Sequence, residues 1–225
     1  MRQKQRAMTA IYVRGLVVLL ACSFVPEASA FNKPDLLTRQ IKSTVIKGES
    51  IVQILDRLAS DYEIPMGIEL GDDKLTPRRE ISLNVPETNL KDFLDSVMAK
   101  DSRYAWKLEG GVIHIWPVRD RDILLATLLN TKISHFSIIG EISRNRIYHD
   151  IMELPEIRSK LVIAGVEPLT FNGPGSWTKM GKETFFEERN LTLRELLDKI
   201  VLKTEIRQWM ISRWGKNSEY ISLKS

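Results

Sequence analysis

His149 and Glu153 stand four residues apart, a spacing that puts two side chains on one face of a helix. Such a pair suits metal ligation, and the chemistry it would support is metal-dependent hydrolysis. The other histidines, His114 and His135, are distant in sequence, and Cys22 is the single cysteine. A closed zinc site takes about four ligands, so a surface histidine beside an acid is the expectation and the hydrolase an outlying alternative. Gly173-Pro174-Gly175-Ser176 lacks the Gly-Lys-Ser/Thr ending of a phosphate-cradling loop. Ser176 also lacks the strand-to-helix setting of a nucleophile. No catalytic, metal-ligating or cofactor-binding residue is assigned, and no cofactor is expected.

Three aspartates recur at one place in a short pattern. It reads Ile51-x-x-Ile54-Leu55-Asp56-x-Leu58, then Leu90-x-x-Phe93-Leu94-Asp95-x-Val97, then Leu193-x-x-Leu196-Leu197-Asp198-x-Ile200. Each aspartate directly follows a core leucine and is expected at the solvent edge of a buried stripe. The last two copies are offset by 103 residues throughout, and a tryptophan follows each at the same distance, Trp106 and Trp209. Repetition of this kind signals related structural units rather than repeated active sites. Trp106 and Trp209 are read as core anchors. Trp116 at a strand end, Trp177 in a turn-rich loop and Trp214 in a hairpin loop are candidate partner-binding residues, as is Arg213 beside Trp214.

The elements that position these residues follow from periodicity. Thr44-Val45-Ile46 is a short strand, and Ser50 caps a helix over 51–62 whose Ile51, Ile54, Leu55 and Leu58 form one stripe. Pro65 ends it. Residues 66–70 and 81–85 alternate as strands, then Thr88 or Asn89 caps a helix over 90–100. Gly110-Gly111 is a two-residue hairpin loop, whose register pairs Trp106 with Ile115 and Leu108 with Ile113 on an apolar face, and Lys107 with His114 on a mixed one. Further on, residues 142–154 and 156–164 read as helices separated by Pro155. Residues 172–181 are the most turn-rich stretch. Asn190 or Thr192 caps a helix over 193–203, and a second hairpin is expected to pair Trp209 with Leu223 and Ile211 with Ile221, with Arg213 opposite Glu219.

This order predicts an α+β fold of two related small modules, residues 31–118 and 119–225, joined at the charged run 119–122. Each would pack its helices on one side of a small mixed sheet and end in a β-hairpin. Residues 1–30 read as a signal peptide: Arg2, Lys4, Arg6 and Arg14, an apolar run from Leu16 to Val25, and a small-residue cleavage site at Ala28-Ser29-Ala30. That run is too short to span a bilayer, where about 20 residues are needed, so no transmembrane span is expected in the mature chain. An outer-membrane lipoprotein anchored at Cys22 is the alternative to a free periplasmic protein. Removing the leader takes four of 33 basic and one of 29 acidic side chains, leaving 29 and 28, a net charge of +1. A near-neutral surface argues against a nucleic-acid partner.

Residues 44–117 resemble the short N-terminal domain of secretins and TonB-dependent receptors (the STN, or secretin N0, type). The carrying residues are Gly48-Glu49-Ser50-Ile51, Ile54-Leu55-Asp56-Arg57-Leu58-Ala59, Thr88-Asn89-Leu90, Phe93-Leu94 and Ile113-His114-Ile115. The resemblance implies a non-catalytic periplasmic module that docks onto another envelope protein, such as a secretin, a TonB-type receptor or an anti-sigma factor. The second module would be a degenerate copy. A periplasmic carrier or sensor of a small ligand is the alternative function.

Overall fold

Helix starts are set locally. Ser50, Asn89 and Thr192 each turn a side-chain oxygen back to the backbone amide three residues on, at Gln53, Asp92 and Glu195. Ser50 and Thr192 complete capping boxes with Gln53 and Glu195. The computed structural model describes residues 35–72, 79–119, 121–140, 144–169, 184–214 and 220–224. The leader 1–30, the turn-rich stretch 172–181 with Trp177, and Glu219 lie outside the described residues.

After a 3-10 turn at Leu36–Thr38, the first half runs β1 (Gln40–Ile41), β2 (Thr44–Ser50), α1 (Ile51–Tyr62), β3 (Met66–Asp72), β4 (Glu80–Val85), β5 (Thr88–Asn89), α2 (Leu90–Lys100), β6 (Tyr104–Glu109) and β7 (Val112–Pro117). The second half runs α3 (Ile123–Leu129), β8 (Lys132–Gly140), α4 (Arg144–Met152), α5 (Pro155–Ala164), β9 (Glu167–Pro168), β10 (Thr184–Thr192), α6 (Leu193–Lys203), β11 (Gln208–Trp214) and β12 (Tyr220–Lys224). The fold is α+β. No described helix is long and apolar enough to cross a membrane.

One mixed six-stranded sheet runs through both halves in the order β6-β7-β3-β11-β12-β9. Within the first half β6 and β7 form a hairpin and β7 runs parallel to β3. Within the second, β11 and β12 form a hairpin and β12 runs parallel to β9. The two-stranded ribbons match as well: β2 pairs antiparallel with β4, and β8 with β10. The halves join where β3 runs parallel to β11, placing Met66 beside Gln208, Gly67 beside Trp209 and Ile68 beside Met210. By these pairings β11, the counterpart of β6, runs opposite to it. The second half is therefore turned over relative to the first.

That inversion sends the helices of the two halves to opposite faces. Side chains alternate across a strand, and Met66, Ile68, Ile113, Ile115 and Met210 enter one core with α1, α2, β2 and β4. Val112, Trp209, Ile211, Ile221 and Leu223 enter the other, with α3 to α6, β8 and β10. Each half has its helices on one side, as expected, but the sheet they cover is shared and crosses the expected boundary at 119–122. Pro34–Ser225 form a single compact unit.

The first hairpin has the expected register, with Trp106 opposite Ile115, Lys107 opposite His114 and Leu108 opposite Ile113. Gly110 and Gly111 take φ of 59° and 86°, as a primed turn requires. Its mixed face is only half open, because α6 covers and buries His114 while Lys107 stays exposed. The second hairpin corrects the expected register. Ile211 pairs with Leu223 and Arg213 with Ile221, two residues away from the Trp209–Leu223 and Ile211–Ile221 alternative. A two-residue slip leaves every side chain on its face, so apolar alternation fits both registers equally. α3 and β8 are elements beyond those that the sequence periodicity predicts.

The joint between β3 and β11 is sterically exacting. A Cβ built on Gly67 would fall inside the Trp209 indole, and Trp209 is fully buried. Gly67→Ala is expected to destabilise the fold by about 1–3 kcal/mol through overpacking. Urea denaturation of Gly67→Ala, Trp209→Phe and the double variant checks this: the double variant should be less destabilised than the sum of the singles.

Candidate functional site

The repeated aspartates are hydrogen-bond acceptors that tie helices to strands. Asp95 on α2 accepts from the Trp106 indole at 3.0 Å, and Asp198 on α6 accepts from the Trp209 indole at 2.9 Å. Asp56 on α1 accepts from Gln208 Nε2, across the halves. Asp56 and Asp95 are exposed as expected, but Asp198 is only 19% exposed. The exception arises because α6 lies between its own hairpin and His114 of the first half, whose Nε2 is 3.3 Å from Asp198 Oδ2.

A polar cluster forms around this contact. Glu69, on the central strand β3, has a side chain 3% exposed and receives Arg194 Nη2 at 2.6 Å and Arg121 Nη2 at 3.1 Å. Arg194 also lies 5.8 Å from the Trp209 ring and 3.5 Å from His114 Nδ1. A buried carboxylate is tolerated only when paired; here one arginine comes from α6 and one from the segment before α3. The cluster holds two acids, a histidine and two arginines together, and each acid is paired within it.

Arg213 does not stand free on the surface. Its Nη1 bonds Asp122 Oδ2 at 3.1 Å, which ties β11 to the N-cap of α3, where Asp122 also accepts from the Leu124 and Leu125 amides. Trp214 is half-buried, donates to Ser212 Oγ and lies opposite Tyr220. Trp116 is half-buried on β7 opposite Ala105. The structure does not bring Trp116 and Trp214 into one cross-strand pair.

His149 and Glu153 are both exposed, and Glu153 faces Arg158 Nε at 3.7 Å. Among the described residues no three metal-ligating side chains converge. A groove of about 700 Å³ is lined by Arg121, Ile123, Thr127, Asn130, Lys132 and Lys160 among others. None of these residues was a candidate site in the sequence, where Arg121 figured only in the charged run 119–122.

The sheet ends differ. At one end β9 is two residues long and closes on Pro168, which cannot donate to another strand. At the other end β6 is six residues long and, among the described strands, pairs with β7 alone. Comparison with protein-family models, characterised proteins and solved structures found no match.

Removing the buried acid tests whether the cluster holds the halves together. Glu69→Ala is expected to lose about 3–5 kcal/mol, since it leaves Arg194 uncompensated. Arg121→Ala, at a side chain 49% exposed, should lose about 1 kcal/mol or less. Denaturant midpoints of the two variants decide the order.

The second half also carries acid-sensitive stability. Glu188 accepts from Lys199 and Lys203, each at 2.6 Å, and these ammonium groups hold its carboxyl below the ordinary value of 4.5. The Ser134 hydroxyl and amide do the same for Glu156. A folded-state value below the unfolded one adds stability above pH 4.5 that is lost as pH falls through the lowered value. Urea midpoints should therefore drop between pH 6 and pH 3 by less in Glu188→Gln than in the native chain (pH range about that of carboxylate titration).

Proposed function

We propose that this chain is a non-enzymatic protein of the cell envelope that acts by binding another envelope protein, in signalling, transport or secretion. The leader-like residues 1–30 and the STN-type pattern of residues 44–117 support the location and the class. The observation that carries the reading is the contrast between the cluster and the edge. The ionisable groups gathered around Glu69 bond one another, whereas none of the described strands pairs with the outer side of β6. Main-chain pairing along such an edge is a recurrent way to bind an extended segment. A secretin, a TonB-type receptor or an anti-sigma factor is the kind of partner this reading names.

The small-ligand reading has one observation in its favour, the basic groove beside α3 with Lys132 and Lys160 on its wall. It predicts a rise in melting temperature with anionic metabolites or lipid headgroups. The protein-binding reading predicts no such rise.

Site-directed photocrosslinking in the native envelope tests the proposal, with a crosslinker at exposed Lys107 on β6 and a control at exposed Val162 on α5. The expected result is one envelope protein captured from position 107 and not from position 162. Absence of any captured envelope protein from a panel of exposed positions, together with a thermal shift by a small anion, would overturn it.

A further inference from the structure

The repeat supplies a template for what the β6 edge accepts. In the second half the first hairpin strand, β11, has β3 on its outer side, running parallel. Trp209 on β11 points to α6, bonds Asp198 and lies over Gly67 of that added strand. Two residues further along the added strand, Glu69 meets Arg194, the second residue of α6.

The first half has each of these parts except the added strand. Trp106 on β6 occupies the position of Trp209, points to α2 and bonds Asp95 as Trp209 bonds Asp198. Lys91 is the second residue of α2, the position of Arg194, and is cationic and 56% exposed. Its present partner is the surface carboxylate of Asp95 at 2.7 Å. Trp209 is fully buried, whereas Trp106 is only partly covered. The difference lies where β3 covers one tryptophan and nothing among the described strands covers the other.

Resting on the protein-binding reading above, we propose that the outer edge of β6 takes an extended segment of a partner protein, parallel to β6, with a glycine beside Trp106. An acidic residue two positions later would sit beside Leu108 within reach of Lys91. The glycine requirement follows from the same indole that excludes a Cβ at Gly67. The acid follows from the cation at the start of α2. Parallel polarity follows from the β3–β11 pairing. A partner carrying apolar-Gly-apolar-acid in an extended, accessible segment meets all three conditions.

The test uses the compact unit from Pro34 onward and a synthetic peptide copying residues 64–71, Ile-Pro-Met-Gly-Ile-Glu-Leu-Gly. Backbone and indole NMR shifts should move at residues 104–109 and at Trp106, and not at β11. Valine in place of the peptide glycine should weaken binding about tenfold or more. Lysine in place of the peptide glutamate should weaken it about two- to fivefold, and Lys91→Glu should restore that peptide. Shifts confined to other surfaces, indifference to the glycine, or loss of the edge to pairing with a second copy of the chain would each overturn the proposal. Capture of an envelope protein from a different surface would overturn this inference while leaving the broader protein-binding reading standing.

Discussion

Everything in this molecule leans on the parallel pairing of β3 with β11. Two strands 142 positions apart in register, Gly67 and Trp209, lie side by side, and the indole occupies the space a side chain on residue 67 would need. The pairing makes β3 a central strand, covered on both faces. One consequence is electrostatic. Glu69 alternates to the α6 face and is buried there, so two arginines must meet it. Another is topological: a parallel joint of strands so distant in sequence raises the contact order, which slows folding.

The joint also inverts one half against the other. With β11 antiparallel to its counterpart β6, the helices of the second half cover the sheet face that the first half leaves bare. His114, Trp209 and Asp198 meet on that face. On the opposite face Asp56 reaches Gln208. Repeated residues thus acquire different surroundings from one recurring pattern. Trp209 is sealed by β3, and Trp106, at the end of the sheet, is left partly open. The asymmetry is a product of which edge was used to join the halves.

Local chemistry was legible in the sequence. Ser50, the cap before Leu90 and the bounds of α1, α2 and α6 follow from capping residues and apolar stripes, and the Gly110-Gly111 turn fixed the first hairpin. The second hairpin was not legible, because no tight turn pins its register and two solutions keep the same faces apolar. The joint was invisible for a different reason: nothing near Gly67 signals a tryptophan at position 209. Glu69 read as the polar member of an alternating strand, which holds for an edge strand and fails for a central one. The partnership of the aspartates was within reach, since Asp95 to Trp106 and Asp198 to Trp209 share a spacing of 11 residues. Equal spacing from an acceptor to an indole donor was the signal.

If the β3–β11 joint binds the halves into one cooperative unit, amide exchange will show it. Hydrogen–deuterium exchange of residues 66–70 and 209–211, followed across denaturant concentration, measures the opening free energy of each strand. Both sets should exchange only through global unfolding and share its free energy and denaturant dependence. Exchange of residues 66–70 through a smaller opening, with residues 209–211 and α6 still protected, would contradict it.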